Sequence, residues 1–116
     1  MAYVDGFIAP IPKDKLEEYR VFAKLAQSVW LECGALEYKE WVADDVKPGQ
    51  TTSFPQSVKL EPGETVVFAW IVYESREQRD AVNAKVMANP RMKMDAAAMP
   101  FDGKRMIYGG FAPLVG

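Results

Sequence analysis

Residues 64–73 read ETVVFAWIVY, with β-branched or aromatic side chains at most positions. Successive side chains of a strand point to opposite faces, so a strand with one wet face alternates apolar and polar residues. This stretch does not alternate, because it places apolar residues on both faces. One face carries Val66, Phe68, Trp70 and Val72, and the other carries Val67, Ala69, Ile71 and Tyr73. The stretch therefore predicts a strand that must be covered on both sides.

The residues before this strand predict a strand, a helix and a second strand. Residues 3–9 (YVDGFIA) are mostly apolar and end at Pro10, which predicts a strand followed by a turn. From residue 14 to residue 33 apolar side chains recur every three or four positions, which predicts an amphipathic helix that Gly34 ends. Residues 35–43 (ALEYKEWVA) alternate until Glu40 and Trp41 break the pattern, and we expect an edge strand there.

Residues 44–64 contain three prolines and two glycines and predict a long irregular connection. Within it, residues 53–60 (SFPQSVKL) fit either one helical turn or a short strand. After the apolar strand, Ser75 and Gln78 form a capping box that predicts a helix to about residue 88. Residues 92–99 fit one or two further helical turns. Residues 105–111 (RMIYGGF) predict a last strand, in which Gly109 and Gly110 indicate a bulge or a close backbone approach.

The predicted order of elements is strand, helix, strand, long connection, strand, helix, strand. This is the order of the ferredoxin-like fold of the α+β class, with a four-stranded sheet, both helices on one face, and the first and third strands at the centre. One such domain fills residues 1–116. The sheet face without helices then needs cover from outside the chain, most simply from a second copy. The alternative is that residues 44–64 fold over that face.

Charge and composition exclude several partners. The 14 basic residues are spread among 16 acidic ones and the pI is near 5.2, which argues against a nucleic-acid surface. The longest apolar run, residues 66–73, is far shorter than the about 20 residues of a membrane-spanning helix, so we expect no membrane partner. The first residues lack the basic region of a secretory signal, and the one cysteine, Cys33, cannot form an internal disulfide. We expect a cytoplasmic protein.

The chain contains no histidine, which removes the usual general base near neutral pH and the commonest metal ligand. Two catalytic candidates remain, Asp5 and Arg105. Asp5 lies within an apolar strand, so it is either an acid–base group or a structural partner for a backbone amide or an arginine. We expect Arg105 and Lys104 as its counter-charges. Arg105 alternatively holds a substrate carboxylate or pairs with Asp102.

Three aromatic residues are candidates for ligand binding: Tyr3, Trp70 and Tyr108. They could line a cavity for a flat apolar molecule, or they could simply form core and interface. Asp44 and Asp45 lack the spacing of a calcium loop, so we predict no metal site. No glycine-rich phosphate loop occurs, and we predict no cofactor.

Several long segments resemble the bacterial family of unknown function numbered 1428, the YbaA-like proteins. They run from residue 2 to about residue 111 and read MAYVDGF, GALEY, DDVKPGQTTSFP, ETVVFAWIVYESREQRD, VNAKVMANPRM and MPFDGKRMIYGGF. That family is similar to the dimeric α/β-barrel superfamily, in which two ferredoxin-like sheets face one another. The resemblance implies the same dimeric assembly here. It implies no established activity and no catalytic residue.

The sequence supports three hypotheses for function. The first is a homodimer that binds a small molecule in the barrel interior. The second is a cofactor-independent oxygenase or isomerase that acts on a small aromatic or enolic compound. The third is a structural assembly unit without catalysis. A cavity of roughly 300 Å³ or more with convergent polar groups favours binding or catalysis, whereas a solid interior favours assembly alone.

Overall fold

The computed structural model describes residues 2–93 and 99–116. Its strands are β1 (Tyr3–Pro12), β2 (Glu37–Val42), β3 (Glu64–Tyr73) and β4 (Ile107–Phe111). Its α-helices are α1 (Leu16–Glu32), α2 (Phe54–Ser57) and α3 (Arg76–Ala88). Short 3₁₀ turns occupy Lys13–Lys15, Pro90–Met92 and Gly103–Arg105. The helical turns predicted for residues 92–99 fall mostly outside the described residues.

The four strands form one antiparallel sheet in the order β2-β3-β1-β4. The first and third strands therefore lie at the centre, as predicted. They pair along their whole length, from Tyr3 opposite Tyr73 to Pro12 opposite Glu64. The chain thus belongs to the α+β class.

The prediction that β1 ends before Pro10 was wrong. Both Pro10 and Pro12 lie within the strand and are paired with β3. The partner on the other side, β4, pairs only as far as Ile8. Beyond Ile8, one edge of β1 has no neighbouring strand in the described sheet, so a proline that lacks an N–H leaves no ladder hydrogen bond unmade there.

Local signals fix the ends of the helices. Gly34 follows α1 with a φ of 122°, a conformation that side-chain-bearing residues rarely adopt. The Ser75 hydroxyl accepts from the backbone N–H of Gln78 at 3.0 Å and so caps α3, as the capping box predicts. Within the long connection, Ser53 caps the single turn of α2 in the same way. Residues 53–60 therefore contain a helical turn and not a strand.

The core lies between the two long helices and one face of the sheet. Val29 of α1 and Val82 and Val86 of α3 pack with Ile71 and Tyr73 of β3, and all of these side chains are buried. Each buried aliphatic side chain of this size contributes about 1.5–3 kcal/mol. A second buried cluster joins Ala9, Ile11 and Val67 of the sheet to Tyr19 of α1. Across residues 2–93 and 99–116, we find no helix long and apolar enough to cross a membrane.

The last strand is shorter than predicted. It begins at Ile107, and Arg105 lies in the preceding 3₁₀ turn instead of in the strand. The Asp102 carboxylate caps this turn by accepting from the backbone N–H of Lys104 at 3.0 Å. Gly110 of β4 lies directly against the Tyr3 ring, which confirms the predicted close approach. A methyl group added at Gly110 would lie 2.8 Å from two ring carbons of Tyr3.

We predict that Gly110→Ala destabilises the fold by about 1–3 kcal/mol, the usual cost of overpacking. The reason is that neither the backbone of a paired strand nor the Tyr3 ring can move away freely. Urea unfolding measures the effect. Gly103→Ala is the matched control, because a methyl group there meets no atom within 4 Å. Equal stabilities for the two variants would contradict the close approach.

Candidate functional site

One face of the sheet, here called the open face, carries no long helix from the part of the chain that the structure describes. Residues directly opposite in an antiparallel register share a face, so the pairing assigns each paired strand residue to one of the two faces of the sheet. The open face consists of Val4, Gly6, Ile8, Pro10 and Pro12 of β1, Glu64, Val66, Phe68, Trp70 and Val72 of β3, Glu37, Lys39 and Trp41 of β2, and Ile107, Gly109 and Phe111 of β4. Only Glu37, Lys39 and Glu64 among these residues are charged.

The long connection covers one end of the open face and leaves the rest exposed. The ring of Phe54 in α2 packs on that of Phe68 at 6.0 Å between centroids, and Val66 nearby is buried. Beyond this end, Phe68 remains 42% exposed, Trp41 49% and Phe111 63%. The alternative that residues 44–64 cover the open face therefore holds for one end only.

The exposed part of the open face contains a shallow trough of about 380 Å³. It is lined by Val4, Gly6, Phe68, Trp70, Val72 and Phe111. The indole N–H of Trp70 donates to the Glu37 carboxylate at 2.7 Å, so this polar group is already satisfied. The trough can therefore offer a ligand aromatic contact and little hydrogen bonding.

The structure does not bring the three candidate aromatics together. Trp70 lies on the open face, whereas Tyr3 lies on the helix-covered face opposite Tyr73. Tyr108 is opposite Phe7 on the outer strand and is 78% exposed. No single cavity described here is lined by all three.

Asp5 lies on the helix-covered face and has an arginine partner. The Arg79 guanidinium on α3 donates to the Asp5 carboxylate at 2.8 Å, and both side chains are largely buried. The same guanidinium lies over the Tyr3 ring, 5.0 Å from its centroid. The prediction that Arg105 or Lys104 supplies the counter-charge was therefore wrong. Arg79 lies in α3, 74 residues after Asp5, and residue spacing does not predict that the two side chains meet.

Arg105 is held in an acidic cluster far from Asp5 in the fold. Its predicted pair with Asp102 is present, with Nε 3.0 Å from the carboxylate. It also donates two hydrogen bonds to the Glu64 carboxylate, at 2.6 and 2.8 Å. These bonds hold the pKa of Glu64 below its ordinary value. With its donors engaged in this way, Arg105 ties the last strand to the start of β3.

A second cavity, here called the α1–β2 pocket, lies between the first helix and the outer strand of the sheet. Its volume is about 280 Å³. The Glu40 carboxylate lines it and accepts one hydrogen bond from the Tyr19 hydroxyl and another, at 2.6 Å, from the Tyr38 hydroxyl. Arg20 and Lys24 of α1 also line the pocket, and both are exposed. Three polar side chains, which together carry four oxygens, therefore converge in a largely apolar cavity.

Burial shifts the protonation of all three groups. It raises the pKa of Glu40 above the ordinary 4.5, although the two hydroxyl donors oppose this shift. Burial is the larger cause, and the charge of Glu40 the smaller one, of the raised pKa values of Tyr19 and Tyr38. Both tyrosines therefore stay neutral. Within residues 2–93 and 99–116, Glu40 forms no ion pair. A carboxylate without a cation, held in a cavity, is typical of functional sites.

Sequence reasoning did not select Glu40 as a site residue. A signal was present, because Glu40 falls on the same side of β2 as Tyr38 and Val42, where the alternation calls for an apolar residue. An acid at an inward position of a strand needs a partner or a function. The described residues contain no group of three or more acidic or cysteine side chains that could hold a metal ion.

Comparison with known proteins places the chain in a family. The profile of the family described as "Protein of unknown function (DUF1428)" matches residues 2–103. The chain is also 51% identical over 115 residues to "Uncharacterized protein YbaA" of Escherichia coli strain K12, covering 99% of this chain and 98% of that protein. The same figures hold for the protein of that name in Shigella flexneri. The chain belongs to the DUF1428 family.

The DUF1428 match includes β1, β2 and β3, the helices α1, α2 and α3, and therefore Glu40, Tyr19 and Tyr38. It ends at residue 103, before β4. The alignments to the YbaA proteins extend over almost the whole chain. These matches confirm the resemblance to the DUF1428 family that the sequence segments indicate, and they leave assembly and activity to be argued from the structure.

We predict that Glu40 makes stability depend on pH in the mildly acidic range. Its raised pKa means that the native state holds the proton more tightly than the unfolded chain, so unfolding releases a proton above about pH 4.5. The contribution of Glu40 protonation to the free energy of unfolding is complete below that pH, and it declines as pH rises through the pKa of Glu40 in the native state. The facing tyrosines, Tyr19 and Tyr38, stay neutral throughout this range because their pKa values are raised.

Urea unfolding of wild type and Glu40→Gln between pH 4 and pH 7.5 tests this dependence. The free energy of unfolding of wild type should fall relative to that of Glu40→Gln as pH rises. A difference that stays constant across the range would show that Glu40 has an ordinary pKa in the native state.

Proposed function

We propose that this DUF1428 protein is a cytoplasmic homodimer of ferredoxin-like chains that binds a small molecule between its two sheets. The open faces pack against each other and form a dimeric α/β barrel. The observation that carries the proposal is the open face itself, whose aromatic side chains are covered, among residues 2–93 and 99–116, only at the end where α2 packs. The chain has one cysteine and so cannot form an intramolecular disulfide, which agrees with the proposed cytoplasmic location.

The extent of exposed apolar surface favours a dimer. Monomeric soluble proteins rarely expose a contiguous apolar patch larger than a few hundred Å². Here Phe68, Trp41 and Phe111 are joined by Ile107, and beyond β4 the apolar Leu114 and Val115 are almost fully exposed. A stable interface takes about 800 Å² from each partner. A second copy matches this surface best, because a two-fold axis presents the same apolar face to itself.

The trough on the open face favours a bound ligand. Two sheets that meet face to face would bring two such troughs together in the interior. Each is lined by aliphatic and aromatic side chains, and its one indole N–H is engaged by Glu37. The trough therefore favours a flat apolar molecule and discriminates against a strongly hydrated one.

We predict that Phe68→Glu disrupts the dimer. Sedimentation equilibrium of wild type at micromolar concentration should give twice the chain mass of 13.0 kDa. The substitution should raise the dissociation constant at least about 30-fold, since a central aromatic side chain contributes about 2 kcal/mol or more to an interface. Val21→Glu on α1 is the matched control, because Val21 is 68% exposed on a helix outside the open face.

Two results would contradict the dimer. One is a wild-type protein that sediments as a single chain at micromolar concentration. The other is a Val21→Glu variant that dissociates as readily as Phe68→Glu, since the effect would then come from added charge alone.

We predict that planar aromatic compounds raise the melting temperature of wild type, because a ligand that binds only the folded state stabilises it by RT ln(1 + [L]/Kd). A thermal-shift screen of single- and two-ring compounds measures this. Gly6→Val should remove the shift for ligands of the trough, since its side chain fills the trough floor. A screen without any shift, or one whose shifts are unchanged in Gly6→Val, would contradict binding at the open face.

A further inference from the structure

The α1–β2 pocket is formed within one chain, at the outer edge of the sheet and on the face opposite to the proposed interface. Trp41 is the one open-face residue in its lining. Its walls come from α1, from β2 and from Val67 of β3. A cavity of about 280 Å³ is near the lower end of the range of ligand sites, about 300–1,000 Å³. It suits a molecule with a single ring or of similar size.

The geometry of Glu40 sets this pocket apart from a packing defect. Each carboxylate oxygen accepts a hydrogen bond from a different element, since Tyr19 belongs to α1 and Tyr38 to β2. The Tyr19 ring is itself fixed by an edge-to-face contact with Phe101, 5.4 Å between centroids. The carboxylate is therefore held in one orientation and still lines the cavity.

The mouth of the pocket is basic. Arg20 and Lys24 lie one turn apart on α1, and both line the pocket from its exposed side. Arg20 has one exposed partner, Glu17, at 3.5 Å. Exposed pairs of this kind contribute little, so both cations can turn towards an anionic group at the mouth.

We propose that the α1–β2 pocket is a proton-transfer site, in which Glu40 takes a proton from the carbon next to the carbonyl of a small enolisable carboxylic acid. The acid's carboxylate lies at Arg20 and Lys24, and its apolar part fills the pocket. This is the chemistry of an isomerase that needs no cofactor.

The step balances without an oxidant or reductant. The C–H bond breaks and its proton moves to a Glu40 oxygen. The electron pair of that bond forms a carbon–carbon double bond, and the carbonyl π pair moves to the carbonyl oxygen to give an enolate. Glu40, now neutral, accepts hydrogen bonds more weakly, so the Tyr19 or Tyr38 hydroxyl can donate to the enolate oxygen instead. Return of the proton to carbon or to oxygen completes the exchange or the tautomerisation.

The protonation behaviour of Glu40 supports this role. A general base acts best when its pKa lies near the operating pH, and burial moves Glu40 in that direction. Neither tyrosine ionises near neutral pH, so each keeps the proton that it donates.

Phenylpyruvate in D₂O is the probe, because it combines one ring, an enolisable carbon and a carboxylate. Proton NMR follows the loss of its methylene signal by exchange. Wild type should accelerate the exchange about 100-fold over buffer, at the low end of what a positioned acid or base provides. Glu40→Gln should retain less than a tenth of the acceleration. Glu18→Gln, an exposed acid on the same helix, should retain all of it.

Further variants separate the roles. Arg20→Gln and Lys24→Gln should raise KM with little change in kcat.

If Glu40→Gln does not fold, Tyr19→Phe serves in its place, because it keeps the ring contact with Phe101 and removes one hydrogen-bond donor to Glu40. Tyr19→Phe should slow exchange at least tenfold. Ile107→Glu, which places a charge on the open face outside the trough, should weaken the dimer and still exchange as fast as wild type, so failure of the dimer and failure of this site can be told apart.

Three outcomes would overturn the proposal. The first is a wild-type rate equal to that of buffer. The second is a Glu40→Gln variant, folded by circular dichroism, that exchanges as fast as wild type. The third is binding without exchange, in which phenylacetate shifts the backbone amide of Glu40 while phenylpyruvate keeps its methylene protons. That last result would make the pocket a binding site only.

Discussion

The pairing of β1 with β3 is the constraint on which the rest of the structure depends. Both strands are long and apolar on both faces, so their register decides which side chains meet the helices and which meet solvent or a partner. A shift by one residue would exchange the two sets. The set that includes Ile71 and Tyr73 is buried under α1 and α3, and the set that includes Phe68 and Trp70 is left for the open face.

This division assigns different tasks to the two sides of one sheet. The open face is apolar and broad, which suits assembly and a flat apolar ligand. The helix-covered side contains the polar arrangements, with Asp5 bound to Arg79 near its centre and Glu40 bound to two tyrosines at its edge. The first is a closed ion pair that holds α3 to β1. The second faces a cavity, so it is the arrangement that can act on a bound molecule.

Elements with strong local signals could be predicted from the sequence. The apolar run of β3, the amphipathic pattern of α1 and the Ser75 cap of α3 each act over a few residues, so the pattern alone decides them. The sequence could not predict that β1 continues through Pro10 and Pro12, because a strand accepts a proline only where no neighbouring strand needs its N–H. That depends on where β4 stops pairing. The partners of Asp5 and Arg105, and the tyrosines around Glu40, come together only through tertiary packing, which residue spacing does not reveal. The broken alternation at Glu40 was the one local sign of the pocket.

The central claim is that Phe68, Trp70 and their neighbours meet the same residues of a second chain. Isotope-filtered NMR on an equal mixture of ¹³C-labelled and unlabelled chains tests it most directly, because only contacts between copies give signals. The account predicts intermolecular NOEs among the aromatic and methyl protons of the open face and none to Val82 or Val86 in the core. A spectrum with no intermolecular NOEs at the open face, at a concentration well above the measured dissociation constant, would contradict the account.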